Sequence, residues 1–271
     1  MSFSAVEAIQ KRKSVRSFDG RPLSPEDRDA LELFIRKVEN PFGVPVTFRM
    51  LSGAAHDVSS PVVTGCDTYI AAKVTRGRNF EIGYGYSFET TCLYAASRGI
   101  GTVMLAASLR RKAFERAMEL GPDEVMPVAS PVGYPAAKRS MRETLMRKGL
   151  KADERIAFEQ LFFEGAYGTG LRMQDAGAFA HALEMARWAP SATNRQPWRA
   201  VVEGDTVHFL EERTLKDSAL GDIQLVDVGI ALAHFDLTMR EEGDTGRFVE
   251  ADPGYALPEN VRYVISYERQ R

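Results

Sequence analysis

Helical and extended segments follow one another along this chain without strict alternation, and that order constrains the fold more than any other feature. A doubly wound parallel sheet needs a helix between successive strands. Here the capping box Ser4-Ala5-Val6-Glu7 opens a short helix to about Arg12. Residues 14–18 read as extended chain ending in the turn Asp19-Gly20. A second helix starts at Ser24 or Pro25, with Leu31, Phe34, Ile35 and Val38 on one face, and Pro41, Gly43 and Pro45 break it. Residues 46–51 and 69–74 read as strands. A small-residue helix over 87–98 stops at Gly99, and 102–106 is apolar and strand-like. Ser108 caps a helix ending at Gly121, and 125–134 reads as a strand edge interrupted by prolines.

The basic stretch 138–151 reads as a surface crossing. A helix over 175–188 must stop before Pro190, since the residue preceding proline avoids helical geometry. Residues 198–202 and 206–210 pair as a hairpin around Glu203-Gly204-Asp205. A long helix over about 222–242 ends at Gly243, and 261–267 is a last strand. Helices outnumber strands, so the order predicts an α+β fold. The helix at 87–98 with its strand and the helix at 222–242 with the last strand share order and character. Identity between the halves is too low to establish a repeat.

With 271 residues, 44% hydrophobic and 27% charged, the chain can bury a sizeable core, as one large domain or two small ones. Its 35 basic and 37 acidic residues give a net charge of −2, which argues against nucleic acid or an anionic membrane surface as the main partner. The apolar run at 226–237 falls short of the roughly 20 residues of a membrane helix. The stretch Met1-Ser2-Phe3-Ser4-Ala5-Val6-Glu7 carries an early acid and no apolar core, so no signal peptide is read there. Cys66 and Cys92 cannot build a disulfide framework. His56, His181, His208 and His234 are scattered, without zinc spacing. These features predict a soluble, reduced, cytoplasmic protein without bound metal.

Two segments carry chemistry. In Arg12-Lys13-Ser14-Val15-Arg16, extended chain turns Ser14 and Arg16 to one side and Val15 to the other. Three cations and a hydroxyl suit a phosphate dianion, because guanidinium forks give paired, charge-assisted hydrogen bonds. A solvated basic run, or a site modified at Ser14, fits the same residues. In the second segment, residues 189–198, Pro190 and Pro197 brace a loop that presents Ser191, Asn194 and Gln196 ahead of Trp198. Primary amides offer donors and an acceptor, which match the alternating pyrimidine edge of a flavin. A turn stabilised by Asx-type hydrogen bonds is the other reading. Elsewhere, Gly83-Tyr84-Gly85-Tyr86 lacks the third glycine and preceding strand of a dinucleotide fingerprint and reads as a structural turn. Arg110-Arg111-Lys112 reads as a solvated helix face, and Phe158, Leu161, Phe162 and Phe163 as core.

The stretch Arg12-Lys13-Ser14-Val15-Arg16-Ser17-Phe18 resembles the N-terminal motif of the FMN-dependent nitroreductases. Ala186-Arg187-Trp188-Ala189-Pro190-Ser191, continuing through Asn194, Gln196, Pro197 and Trp198, is similar to their second hallmark. Gly99-Ile100-Gly101-Thr102-Val103 and Val132-Gly133-Tyr134-Pro135 resemble the family's glycine-ended helix and late strand. The matches reach most of the chain. Their order departs from the common pattern, in which the second hallmark follows one helix after the first and two subunits share each flavin. That place holds Asn40-Pro41-Phe42-Gly43-Val44-Pro45 here.

This resembles the branch in which one chain mimics the dimer. The resemblance implies a nitroreductase-like mixed sheet flanked by helices, a single domain over 1–271 with approximate halves 1–165 and 166–271, and one complete flavin site. It implies that Arg12, Lys13 and Ser14 hold phosphate and ribityl, that Arg16 stands near flavin N1 and O2, and that Pro190, Ser191, Ala192 and Asn194 line the ring. Gln196 orients the loop. Met104, Leu105 and Ala106 match the stretch whose backbone N–H faces N5. Arg155 resembles the late phosphate arginine, and Lys138 competes for that role. The implied activity is ping-pong hydride transfer, in which NAD(P)H reduces bound FMN and a nitroaromatic, quinone or similar acceptor takes the electrons. The chain would be a monomer or a homodimer. A non-catalytic flavin-binding protein, a flavin-consuming or dehalogenating member of the same fold, and a scaffold or interaction protein with no flavin are the alternatives.

Overall fold

A computed structural model describes residues 3–270; Met1 and Ser2, at the head of the stretch read for a signal peptide, lie outside them. The chain divides into two compact units, Met1–Phe80 with Ser87–Ala152, and Glu81–Tyr86 with Asp153–Arg271. Among the described residues no helix is long and apolar enough to cross a membrane.

The first unit runs α1 (Ala5–Lys11), α2 (Pro25–Ile35), β1 (Val46–Ser52), α3 (Gly53–His56), β2 (Thr68–Thr75), α4 (Phe80–Ser97), β3 (Gly101–Thr102), α5 (Arg111–Ala117), β4 (Glu124–Val125), β5 (Ala129–Gly133) and α6 (Met141–Gly149). Ser4 Oγ accepts the Glu7 N–H and Ser24 Oγ accepts the Asp27 N–H, so both expected caps form. The sheet order is β1-β2-β5-β3, with β4 also on β2, and every pair is antiparallel. The extended segment 14–18 lies against it. Ser14 forms a parallel bridge with Thr102, and the Val15 N–H donates to Thr102 O at 2.9 Å.

Four sequence expectations change here. α4 begins at Phe80, so Gly83 to Tyr86 are helical and not a turn. β5 lies between β2 and β3 and is not an edge. Residues 129–131 pair with β2 and 132–133 with β3, so Pro131 falls where the partner changes. α5 starts at Arg111 without a side-chain cap from Ser108, and Glu119, with φ 51°, takes the left-handed position expected at Gly121. The basic stretch 138–151 contains α6, capped by Ser140. Its Glu143 and Arg147 are buried, so its inward face is charged and leaves no apolar stripe to read.

The second unit contains α7 (Phe158–Leu161), β6 (Phe162–Glu164), α8 (Ala180–Arg187), β7 (Trp198–Glu203), β8 (Thr206–Glu212), α9 (Ile223–Glu241), β9 (Arg247–Val249) and β10 (Val261–Glu268). Two short 3-10 turns replace the first part of the helix expected over 175–188, and Gly177, at φ 54°, opens the second of them. The sheet order is β6-β7-β8-β10-β9, parallel only between β6 and β7. The hairpin β7–β8 closes on the pair Glu203 and Thr206. Asp222 caps α9 through the Gln224 N–H at 2.9 Å, and Gly243 ends the segment at φ 87°. Phe158, Leu161, Phe162 and Phe163 are all buried.

Both units repeat one topology: an antiparallel hairpin, a long helix, then a strand that returns to the second hairpin strand. β1-β2-α4-β5 and β7-β8-α9-β10 follow it alike. Residues 81–86 of α4 pack on α9 within the second unit. A Cβ on Gly85 would lie 2.0 Å from Val226 O, and one on Gly229 would lie 2.3 Å from Ile82 O. The same interval separates Gly85 from Gly229 and Ile82 from Val226.

Candidate functional site

In the first unit the cationic segment leaves the end of α1. Arg12 caps that helix, and its Nε lies 2.9 Å from Glu89 Oε1 of α4, with side chains 7% and 0% exposed. A carboxylate buried that deeply requires a cation beside it, because desolvating an isolated charge costs several kcal/mol. Lys13 is exposed and Ser14 half-buried. Arg16 is half-buried, and burial lowers its guanidinium from the ordinary value. Glu143 opposes that shift, while Arg147 and Arg12 add to it. Its Nε is buried without a hydrogen-bond partner among the described residues. Three guanidiniums (Arg12, Arg16, Arg147) thus gather with two buried carboxylates, Glu89 and Glu143, and leave an excess of positive charge. Arg147 was not marked by the sequence reading.

The stretch after β3 is mostly committed to the sheet. The Leu105 N–H donates to Ala129 O at 2.9 Å, and Leu105 O accepts the Ala129 N–H at 3.1 Å. Leu105 therefore has no N–H to offer a ligand, which corrects its expected role. Ala106 O accepts from Arg111 Nη2 at 2.7 Å. Lys138 is exposed.

The proline-braced loop belongs to the second unit. Pro190, Ser191, Ala192 and Asn194 are half-buried, and Thr193, Asn194 and Gln196 adopt left-handed backbone with φ 50°, 58° and 51°. Such strain persists where surrounding contacts over-determine it. The Gln196 N–H donates to Ser191 Oγ at 2.9 Å. The Gln196 side chain, 3% exposed, accepts the Ile156 N–H at 3.0 Å and donates to Asn194 O at 3.3 Å. Asn194 Nδ2 donates to Glu154 O at 3.1 Å. Both oxygens of Asp227, buried on α9, receive the Ala192 N–H, at 2.9 and 3.1 Å. Burial pushes the Asp227 carboxyl well above the usual carboxylate range, and the charges of Asp222 and Glu211 add to it, while the Ala192 N–H opposes the shift.

Arg155 also lies in this unit. It donates to the carbonyls of Glu154 and Trp188 and stands 5.8 Å over the Trp188 ring. The structure thus ties Arg155 to this loop's surroundings, whereas Arg147 lies near enough to Arg16 for its charge to act on that guanidinium. Glu89 and Asp227 escaped the sequence reading as well. Their only signal was an acid set inside an apolar helix, Glu89 after Phe88 and Asp227 between Val226 and Val228. The bend that occupies the hallmark's usual place behaves differently. Asn40 Nδ2 donates to Val44 O and Ser87 Oγ, and its Oδ1 accepts the N–H groups of Phe42 and Val44. That amide is saturated by its own turn and by Ser87 of α4.

A family model described as "Putative TM nitroreductase" matches residues 4–239. The chain belongs to this nitroreductase family. Family membership supports an oxidoreductase. Among solved structures, one described as a "putative nitroreductase" from Thermotoga maritima MSB8 superposes with a TM-score of 0.65 at 22% identity, covering 99% of this chain and 94% of that one, and shows a shared fold. A "Putative NADH dehydrogenase/NAD(P)H nitroreductase" from Bacteroides thetaiotaomicron matches at 21% identity over 52% of this chain and 91% of that one, with a TM-score of 0.42. An FMN and NADPH-dependent nitroreductase from Sphigopyxis sp. strain HMH matches at 13% identity over 50% and 90%, with a TM-score of 0.42. No curated protein matches the chain.

Proposed function

We propose that this nitroreductase-family chain binds one FMN and passes reducing equivalents from NAD(P)H to a small acceptor such as a nitroaromatic or quinone. The observation that carries this reading is the cation excess of Arg12, Arg16 and Arg147, with Arg16 Nε buried and lacking a hydrogen-bond partner among the described residues. Such a cluster is stable when an anion resides in it, and a phosphate meets guanidinium forks with matched geometry. Arg12, Lys13 and Ser14 hold phosphate and ribityl in this reading. Arg16 supplies a cation at the pyrimidine end, and Arg147 adds a third guanidinium to the set. Pro190, Ser191, Ala192 and Asn194 line the ring, Gln196 fixes the loop, and Met104 or Ala106 offers the backbone N–H. FMN, when bound, supplies the acceptance and release of hydride. The protein supplies charge, donors and a stiff wall.

Repeated topology, the reciprocal glycine contact and the saturated Asn40 amide all favour a single chain that mimics the family's homodimer, with one working site. The test is direct. Chain mixed with FMN and passed through size exclusion is expected to keep flavin absorbance, and NADH or NADPH is expected to bleach it anaerobically. Arg16→Ala is expected to weaken FMN retention about tenfold or more, given the worth of a charge-assisted hydrogen bond. A colourless wild-type chain opposes the reading. A flavin that neither nucleotide bleaches leaves a flavin-binding protein without turnover.

A further inference from the structure

We propose that Asp227 is the positioning residue of the amide-bearing loop and that it sets how residues 190–196 meet the isoalloxazine ring. The assignment rests on the flavin reading above and names a residue which that reading leaves out. The loop has an uncommon construction: Thr193, Asn194 and Gln196 all sit in left-handed backbone, and each such residue costs on the order of 1 kcal/mol or more. Something must hold that shape. Gln196 braces the C-terminal side, through Ser191 Oγ and the Ile156 N–H. On the N-terminal side the tie is the Asp227 carboxyl, whose two oxygens share one N–H, that of Ala192. Asp227 is 4% exposed on the buried helix α9, so its carboxyl has little room to turn away from the Ala192 N–H. The N–H it holds lies between Ser191 and Thr193, inside the wall proposed for the ring. Asp227 does not reach the ligand itself in this assignment. It acts through Ala192.

The need is for an acceptor, not for a charge, and the variants separate the two. Asp227→Asn keeps a side-chain oxygen for the Ala192 N–H. Asp227→Ala removes it, and Ala192→Pro removes the donor from the other side; Ser191, at φ −145° and ψ 162°, already has the extended geometry that a following proline requires. FMN affinity by fluorescence quenching, the midpoint potential of bound FMN, and competition of FMN by inorganic phosphate are the readouts. Asp227→Ala and Ala192→Pro are expected to weaken FMN about tenfold and to shift the midpoint potential, with the phosphate competition constant unchanged; Asp227→Asn stays within about twofold of wild type. Equal loss of FMN and phosphate binding overturns the assignment, since that is the signature of general unfolding. So does an Asp227→Asn variant as weak as Asp227→Ala. A wild-type chain that retains FMN beside an unaffected Asp227→Ala overturns this assignment alone, and a wild-type chain that retains none overturns the flavin reading with it.

Discussion

Glu211 is wholly buried on β8 with Arg262 Nε 2.6 Å from Oε2, and Arg262 also reaches Asp222 at 2.7 Å. Burial lifts its carboxyl to about 7 from an ordinary value of 4.5, and the charge of Asp222 adds to the rise. The folded chain therefore binds this proton more tightly than the unfolded chain. Its contribution is complete below about pH 4.5 and is lost as pH climbs through 7, a change of at most about 3 kcal/mol. Asp227, raised by its burial, acts in the same direction. Asp27 and Asp244, held below the ordinary carboxylate value, act oppositely, but only at more acid pH. The urea midpoint is expected to fall between pH 5 and 7.5, and Glu211→Gln is expected to flatten that slope. An unaltered slope in the variant removes Glu211 as its source. The sequence could not disclose this. Glu211 stands in Glu211-Glu212-Arg213, which reads as a solvated run, and its partners arrive from β10 and the α9 cap. Arg12, Ser14 and Asn194 stand out as candidates in the sequence because several groups of one chemistry crowd a short segment. Glu89, Asp227 and Arg147 each stand alone in sequence, and only distant packing turns them inward.

At the scale of elements, the crossing of α4 and α9 depends on two glycines. An alanine Cβ at position 85 would meet a carbonyl oxygen at 2.0 Å and one at 229 would meet another at 2.3 Å, and backbone cannot rotate aside as a side chain can. Gly85→Ala and Gly229→Ala are each expected to lower stability by about 1–3 kcal/mol or more, read as a lower thermal midpoint. Gly77→Ala is the control, because nothing lies within 4 Å of its added Cβ and its backbone is not left-handed. The double variant is expected to cost less than the two singles together, since helices already parted for one methyl accept the second cheaply. Additive losses would place the two contacts in independent environments. The same packing explains why the start of α4 was misread. Gly-Tyr-Gly-Tyr has the local propensity of a turn, and close approach to α9 overrides it. Periodic or turn-punctuated elements such as β1, β2, the β7–β8 hairpin and α9 were legible. α6 was not, since a helix whose inward residues are Glu143 and Arg147 shows no apolar period.

For the whole molecule, a duplicated topology raises the question of whether function is duplicated too. The motif order in the sequence pointed to one site, and the two bends now give a chemical reason. Asn40 and Asn194 occupy comparable places, each after a helix and before the first strand of a hairpin. All four hydrogen-bonding directions of the Asn40 amide close on residues 42–44 and Ser87, whereas the Asn194 amide meets Glu154 O and, at 3.4 Å, Gln196 Nε2, and its bend is tied from outside through Ala192 to Asp227. A self-saturated amide has nothing left for a ligand edge. The first unit also keeps the guanidinium set, while Arg155 in the second is bound to carbonyls. FMN is therefore expected to saturate at one per chain, measured from flavin absorbance against protein concentration after gel filtration. Asn194→Ala is expected to raise the FMN dissociation constant about tenfold, while Asn40→Ala leaves it unchanged and lowers the thermal midpoint instead. A ratio of two, or FMN binding that depends equally on both asparagines, would mean that the halves have not diverged in function. In that event the saturated bend would have to open when ligand arrives, and its four internal hydrogen bonds would make that second binding event the weaker one.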